Sequence, residues 1–208
     1  SDPHIVYVGT GEGNPRNSAS VGDGMYKSVD GGDHWTKIGL EKTDKITRVI
    51  VDEKNPDLVW ACGIGRTWGA NEERGVFKTT DGGKSWRKVL YIDPQTACSD
   101  IASDPNNSNI MYAGMYTYRR WAWYLNSGGG NTAVYKSVDG GETWERLSLV
   151  AAMKTRPPCV ARLPPRVGRP IGMGRPILIP SGPVSRTVPT GTCHLIFRVV
   201  MSTAVIVP

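Results

Sequence analysis

One eight-residue pattern, Ser/Thr-x-Asp-Gly-Gly-x-x-Trp, occurs three times in this chain and constrains the fold more than any other feature. The three copies occupy residues 28–35, 79–86 and 137–144. A second landmark, an apolar run with an aromatic residue near its centre, precedes each copy at residues 5–9, 58–63 and 110–114. The repeating unit therefore has roughly 50 residues, a period typical of propellers and other repeat architectures.

The second unit shows most clearly how one repeat is expected to fold. Short runs rich in β-branched and aromatic residues, separated by Gly, Pro, Asn and Asp, predict antiparallel strands. These runs lie at residues 46–51, 58–64, 75–80 and 85–91. Four strands per unit predict an all-β fold, a partial β-propeller built of four-stranded antiparallel blades.

The strand count predicts two complete blades and one blade that lacks its first strand. The blades are expected at about residues 1–40, 45–92 and 97–147, followed by a non-propeller tail at residues 148–208. A closed propeller needs about four to eight blades, so the chain is interpreted as a piece of a longer protein. Because open sheet edges would remain, self-association through these edges is expected.

The residue types of the repeated pattern suit a tight turn. Aspartate can accept N–H bonds within its own turn, and glycine readily adopts the positive φ that such turns require. The Ser or Thr supplies a second local hydrogen bond, and the Trp offers a large apolar face that can hold the turn against the sheet. We therefore predict structural rather than catalytic roles for Ser28, Asp30, Gly32, Trp35, Thr79, Asp81, Gly83, Trp86, Ser137, Asp139, Gly141 and Trp144.

The same motif resembles the Asp-box, also called the bacterial neuraminidase repeat (BNR repeat). Together with the apolar run before it, the motif is similar to the propellers of sortilin-type proteins and of xyloglucanase-like glycosidases. The strings at residues 9–18 and 68–78 resemble large secreted bacterial proteins described as sortilin-like or glycosyl-hydrolase-like. The resemblance covers about residues 1–147 and implies an extracytoplasmic or secreted setting, although residues 1–4 show no signal-peptide pattern.

The composition changes abruptly after residue 146. Residues 1–146 contain all 19 acidic residues and 17 basic ones, whereas residues 147–208 contain 8 basic residues and no acidic one. The basic character therefore belongs to the tail, and no nucleic-acid binding is expected for the folded part. The tail is expected to be disordered, or to result from a frame shift or a joining of unrelated sequence. The alternative is a genuine Arg/Pro-rich polycation that binds nucleic acid or another anionic surface.

Three long loops, each between the second and third strands of a unit, carry the candidate binding site. They span residues 12–23, 65–74 and 118–132 and are expected to emerge on one face of the disc. Their arginines and aromatic residues suit sugar or peptide recognition, because aromatic faces pack on apolar surfaces and arginine binds carboxylates bidentately. The candidate ligand-binding residues are Arg16, Arg66, Trp68, Arg119, Arg120, Trp121 and Trp123. Residues 121–124 either form a carbohydrate platform or pack on themselves or on a neighbouring blade.

The loops also carry the carboxylates that a glycoside hydrolase would need. Such an enzyme uses two carboxyl groups, about 5 to 9.5 Å apart, across a cleft. The weak candidates are Glu12, Asp23, Glu72 and Glu73. Nothing in their spacing selects a pair, and one of the two adjacent glutamates has the alternative of pairing with Arg74 or Arg66.

Two function hypotheses follow from these observations. The first is a fragment of a secreted sortilin-like propeller that binds a peptide, protein or polysaccharide through its loops and is not catalytic by itself. The second is a fragment of a xyloglucanase-like glycoside hydrolase that uses a carboxylate pair.

The remaining sequence features predict no cofactor, no metal and no membrane association. The four cysteines are scattered and the three histidines form no cluster with them. No apolar run reaches the roughly 18 to 20 residues of a membrane-spanning helix. Cys62 and Cys98 lie inside predicted strands, where we expect free, buried thiols that act as small apolar residues.

Overall fold

The computed structural model describes residues 2–14 and 18–147, which form three antiparallel sheets in chain order. The predicted all-β fold is confirmed, with two complete blades and one that lacks its first strand. The described residues outside strands include one short 3-10 turn, Glu41–Thr43, and no helix among them has the length and hydropathy to cross a membrane. The predicted tail at residues 148–208 lies outside the described residues.

In all three sheets, strands that follow one another in the chain lie side by side, apart from one additional strand in the third sheet. The first sheet has the order β1-β2-β3 (Val6–Gly9, Met25–Ser28 and Thr36–Lys37). The second has the order β4-β5-β6-β7 (Ile46–Val51, Val59–Gly63, Gly75–Thr79 and Arg87–Leu90). The third contains β8, β9, β11 and β12 (Thr96–Asp104, Asn107–Arg120, Ala133–Ser137 and Glu145–Arg146). An additional strand, β10 (Leu125–Ser127), pairs with the end of β9 because β9 continues into the loop and the chain then doubles back.

The aspartates of the three repeated turns accept the same hydrogen bonds. In each turn, Oδ1 accepts a bond of 2.7 Å from the Ser or Thr hydroxyl two residues earlier. The same oxygen accepts a bond of 3.0 Å from the backbone N–H four residues later. The side chain of that later residue bonds the other carboxylate oxygen (His34, Ser85 and Thr143). The pKa of each aspartate is therefore held well below its usual range, chiefly by the bonds from the later residue.

The turn of the third sheet is fastened to the second sheet. Trp60 and Lys78 are cross-strand neighbours on β5 and β6, and Lys78 Nζ lies 5.4 Å from the centroid of the Trp60 ring. Lys78 Nζ donates to the Gly140 carbonyl oxygen at 2.8 Å and to Glu142 Oε1 at 2.6 Å. Trp60 Nε1 donates to the same carbonyl at 3.2 Å. One backbone oxygen of the turn thus receives two donors from the preceding sheet.

The first sheet holds the turn of the second sheet in a similar way. Lys27 Nζ lies 5.2 Å from the centroid of the Tyr7 ring. It donates to the Gly82 carbonyl oxygen at 3.5 Å and to Asp57 Oδ1 at 3.1 Å. We call the aromatic residue and the lysine of each sheet its docking pair: Tyr7 with Lys27, Trp60 with Lys78, and Tyr112 with Lys136.

The second glycine of the turn is required by both conformation and space. Gly83 and Gly141 have φ angles of 93° and 80°. A Cβ atom at Gly83 would lie 2.5 Å from Ile38 Cδ1, and one at Gly141 would lie 2.8 Å from Trp60 Nε1. The preceding sheet therefore packs directly on this glycine and leaves no room for a side chain.

The sheets pack through their faces, and these contacts form the core. We call the face toward the following sheet the front and the opposite face the rear. Met25 on the front of the first sheet packs with Phe77 on the rear of the second. Val76 on the front of the second sheet packs with Met111 on the rear of the third. All four side chains are buried, because strand residues alternate between the two faces.

The prediction that Cys62 and Cys98 are free thiols is wrong, because the structure joins them in a disulfide. Cys62 lies on β5 and Cys98 on β8, and their Cα atoms are 5.2 Å apart. Both residues are fully buried between the second and third sheets. The pairing depends on which sheet faces pack together, so it cannot be predicted from the spacing of the cysteines along the chain.

Replacing both cysteines by alanine, Cys62→Ala with Cys98→Ala, should lower the free energy of unfolding. The bridge closes a segment with a sequence separation of 36. Loss of a cross-link of this span is expected to cost about 3–4 kcal/mol, because the unfolded chain gains conformational freedom. The measurement is urea unfolding followed by tryptophan fluorescence, in a Cys159→Ala/Cys193→Ala background so that no other thiol interferes. Equal urea midpoints with and without the bridge would contradict the structural role.

Candidate functional site

The three long loops meet along one edge of the sheets. The N–H of Gly22, in the first loop, donates to the Asp44 carbonyl oxygen at 2.6 Å. The Asp44 carboxylate lies 3.6 Å from Arg66 Nε in the second loop. The N–H of Arg120, at the start of the third loop, donates to the Thr67 carbonyl oxygen at 2.9 Å. The candidate residues of the second and third loops are therefore neighbours, and the first loop adjoins them through Asp44.

Arg74 fixes the second loop against the third, a role that was not predicted from the residue pattern. Its side chain is fully buried, and its guanidinium lies 4.7 Å from the centroid of the Tyr118 ring. Four carbonyl oxygens accept from its two terminal nitrogens, at distances between 2.5 and 3.3 Å: those of Arg66, Gly69, Gln95 and Tyr118. Burial lowers the pKa of Arg74, but a guanidinium stays protonated, so it acts as a rigid multidentate donor.

The turn at the tip of the third loop presents an exposed pair of tryptophans. A backbone bond from Trp121 N–H to the Tyr124 carbonyl oxygen closes the turn at 2.7 Å. Trp121 and Trp123 stack with ring centroids 6.4 Å apart, and Trp123 is 85% exposed. Trp68 and Tyr124 are also exposed. We call these four side chains the aromatic patch: Trp68, Trp121, Trp123 and Tyr124.

Arg119 lies against the aromatic patch, and Arg120 directly precedes the patch in the chain. The Arg119 guanidinium lies 3.7 Å from the centroid of the Trp121 ring, a cation–π contact that orients the indole. The Nε atoms of Arg119 and Arg120 are buried and have no hydrogen-bond partner among residues 2–14 and 18–147. The patch therefore combines apolar ring faces with a guanidinium that lies against one of them.

The candidate carboxylates occupy different surroundings. Asp23 accepts from Lys37 Nζ at 2.9 Å and from the Tyr26 hydroxyl at 2.8 Å. These bonds, with that from Lys37 the larger effect, hold the pKa of Asp23 below its usual value. A general acid needs the opposite shift, so Asp23 does not fit that role. Glu12 Oε2 accepts from the Ser20 N–H at 3.3 Å.

The adjacent glutamates of the second loop are not the partners of its arginines. Arg74 donates to carbonyl oxygens, and Arg66 lies beside Asp44, so the alternative of an ion pair with Glu72 or Glu73 is not observed. Glu72 is exposed and its carbonyl oxygen accepts from Lys88 Nζ, while Glu73 is half-buried.

A buried lysine at the junction of the loops was not anticipated from the sequence. Lys45 is 3% exposed, and its Nζ donates to Thr67 Oγ1 at 3.0 Å. Burial lowers the pKa of Lys45. It follows Asp44 directly and precedes β4, so it lies at the point where the first and second loops approach each other.

One predicted site residue cannot be placed at this edge. Arg16 lies outside the described residues. No group of three His, Cys, Asp or Glu side chains within the described ranges is arranged to hold a metal ion. A shallow cleft lined by residues including Glu53, Trp60 and Asp104 lies near the turns that join the first and second strands, at the opposite edge of the sheets.

The architecture is that of a β-propeller fragment, since successive antiparallel sheets pack face to face in chain order. No family model matches the chain. The photosystem II assembly lipoprotein Ycf48 of Synechococcus sp. (strain CC9902) is 30% identical over 98 residues, which are 47% of this chain and 27% of that protein. The chain thus spans about a quarter of this curated relative.

Three solved structures of GH74 enzymes are also similar to this chain. An ancestral GH74 enzyme is 20% identical, with 71% of this chain and 17% of that chain covered and a TM-score of 0.49. The GH74 enzyme of Niastella koreensis is 17% identical, with 70% of this chain and 28% of that chain covered and a TM-score of 0.39. The GH74 xyloglucanase from Xanthomonas campestris is 16% identical, with 71% of this chain and 29% of that chain covered and a TM-score of 0.37. The chain spans less than a third of each of these proteins.

Substituting Arg74→Lys should destabilise the protein and loosen the loop edge. A lysine carries one nitrogen in place of the guanidinium fork and cannot reach four carbonyl oxygens in different directions. We expect the free energy of unfolding to fall by about 2–4 kcal/mol, because buried carbonyl groups lose their donors. The measurement is denaturant unfolding followed by tryptophan fluorescence. Arg66→Lys is the matched control, because the side chain of Arg66 is 63% exposed. If both variants unfold at the same midpoint, Arg74 does not fix the loops.

Proposed function

We propose that this chain is a non-catalytic binding module that takes a glycan or peptide ligand across the aromatic patch. The observation that carries the proposal is the stacked pair of Trp121 and Trp123, exposed at the loop edge beside Arg119. Flat indole faces bind the apolar faces of sugar rings or of apolar side chains. The Arg119 guanidinium, which stacks on Trp121, places a positive charge beside the rings that favours carboxylate oxygens of such a ligand.

A binding role accounts for this surface better than internal packing does. Trp121 is 37% exposed and partly covered by its neighbours, whereas the next aromatic residue, Trp123, is 85% exposed. Exposed aromatic side chains of this size are unfavourable in water and are typical of recognition surfaces. Arg74 holds the supporting backbone rigidly, which reduces the entropy lost when a ligand binds.

The second candidate, a fragment of a xyloglucanase-like glycoside hydrolase, has less support. It requires a carboxyl group with a raised pKa next to a second carboxylate, and the bonds to Asp23 shift its pKa in the wrong direction. The name of the curated relative describes an assembly protein, which agrees with a binding role. The similarity to GH74 enzymes is the reason to include an assay for hydrolysis.

The proposal includes kinship with the Asp-box propellers of sortilin-like proteins and an extracytoplasmic location. The three turns have the same hydrogen-bond geometry around their aspartates, which supports a common repeat. The buried Cys62–Cys98 bridge supports the location, because structural disulfides form and persist in oxidising compartments.

The test is affinity gel electrophoresis of the full chain in gels that contain xyloglucan or mixed-linkage β-glucan, together with binding to an immobilised peptide array. Trp123→Ala should weaken the binding seen with either probe by about tenfold, since aromatic anchors dominate such contacts. Its thermal stability should stay unchanged, because the removed side chain is 85% exposed.

Val138→Ala is the matched control, since Val138 is exposed but lies in a repeated turn and not in the loops. Equal binding by Trp123→Ala and the unaltered chain would refute the aromatic patch as the binding surface. Release of reducing sugar ends by the purified chain would instead support the hydrolase.

A further inference from the structure

The front of the third sheet carries the same residue types as the covered fronts of the first two sheets, but no sheet packs against it among the described residues. One equivalent position, on β2, β6 and β11, shows this most clearly. Met25 and Val76 are 0% exposed because the following sheet covers them, whereas the corresponding Val134 is 42% exposed. The docking pair of this sheet is present, with Lys136 Nζ 5.9 Å from the centroid of the Tyr112 ring.

The rear of the first sheet is the complementary surface on which none of the residues 2–14 and 18–147 places another sheet. Val59 and Phe77 on the rear of the second sheet are 0% and 4% exposed. Their counterparts on the first sheet, Val6 and Tyr26, are only half-buried. The turn of the first sheet is also uncovered, with Trp35 43% exposed. The Nε1 atom of the corresponding Trp86 donates to the carbonyl oxygen of Ile38, the residue directly after β3, at 2.7 Å.

The charges on the two open surfaces match. Lys78 of the second sheet pairs with Glu142, which lies three residues after the aspartate of the next turn. The residue at the same position of the first turn is Asp33, which is exposed. Lys136 is the docking-pair lysine of the third sheet, and no turn among the described residues packs against it. A contact between these two surfaces would therefore pair Lys136 with Asp33, as Lys78 pairs with Glu142.

We propose that copies of this chain associate head to tail, with the front of the third sheet of one copy on the rear of the first sheet of the next. Lys136 of one copy then pairs with Asp33 of the other and donates to the Gly31 carbonyl oxygen. This contact buries sheet faces and is distinct from pairing through open sheet edges. Because the two surfaces differ, the contact is heterologous and forms a ring or a linear chain of copies.

A second copy fits this surface better than residues 148–208 of the same chain. Those residues contain no aspartate or glutamate that could pair with Lys136, and no Asp-Gly-Gly turn that could offer the carbonyl oxygen. The first sheet carries both features at the required positions. The inference is independent of the proposed ligand-binding role, because its residues lie on the sheet faces and turns and not in the long loops.

The test is sedimentation velocity of the full chain over a range of concentrations at low salt. The unaltered chain should show concentration-dependent association. Lys136→Glu and Asp33→Lys should each raise the dissociation constant by about tenfold or more, because each places like charges at the contact. An equimolar mixture of the two variants should associate again, because both contacts in the mixed assembly then join opposite charges.

Lys54→Glu is the matched control, since it makes the same charge change at an exposed turn away from both surfaces. Circular dichroism should show that every variant is folded, as expected for substitutions in an exposed turn or at a partly exposed strand position. A chain that sediments as a monomer at every concentration would overturn the proposal. The proposal would also be overturned if Lys136→Glu abolished the association and Asp33→Lys had no effect. That result would indicate that the third sheet of one copy contacts the third sheet of another.

Discussion

In the second and third Asp-Gly-Gly turns, the carbonyl oxygen of the first glycine accepts a hydrogen bond from a donor of the preceding sheet. Lys78 and Trp60 both donate to Gly140 in this way, and Lys27 donates to Gly82. The internal hydrogen bonds of the aspartate fix the shape of the turn, and the glycines keep its surface free of side chains. The turn can therefore be approached closely by the neighbouring sheet. Register between the sheets, burial of their faces and the position of the loops all depend on this contact.

The candidate binding edge is a consequence of the same packing. Because successive sheets are held in one register, their long loops emerge side by side, and polar groups bridge them. Arg74 binds carbonyl oxygens from both the second loop and the third sheet. Neither loop could hold its conformation alone, since the buried guanidinium and the carbonyl groups need each other. The exposed aromatic patch thus stands on a support that spans the boundary between two sheets.

The fold was predictable from the sequence because the signals are local. Each strand run and each Asp-Gly-Gly turn can be recognised within about ten residues, and β4 begins and ends where the pattern predicts, at Ile46 and Val51. The long loops were also predicted at the right places between strands, but the contacts and the strand inside them were not predicted. The Cys62–Cys98 bridge, the burial of Arg74 and the strand β10 depend on contacts between distant segments. Residue type and spacing do not encode such contacts, so the cysteines were misinterpreted as free thiols. The position four residues after each aspartate was also overlooked, because His, Ser and Thr share only their ability to donate to the carboxylate.

The docking pair of one sheet holds the turn of the next, and amide hydrogen exchange measures this contact directly. In a Lys78→Met variant, the amides of residues 139–143 should exchange at least about tenfold faster than in the unaltered chain, since the turn loses a buried charged donor. Residues 81–85, which contact Lys27, should keep their protection, and Lys54→Met should leave both turns unchanged. Unaltered exchange at residues 139–143 would contradict the claim. Equal acceleration in both turns would contradict it as well, because that pattern indicates a general loss of stability rather than the release of one turn.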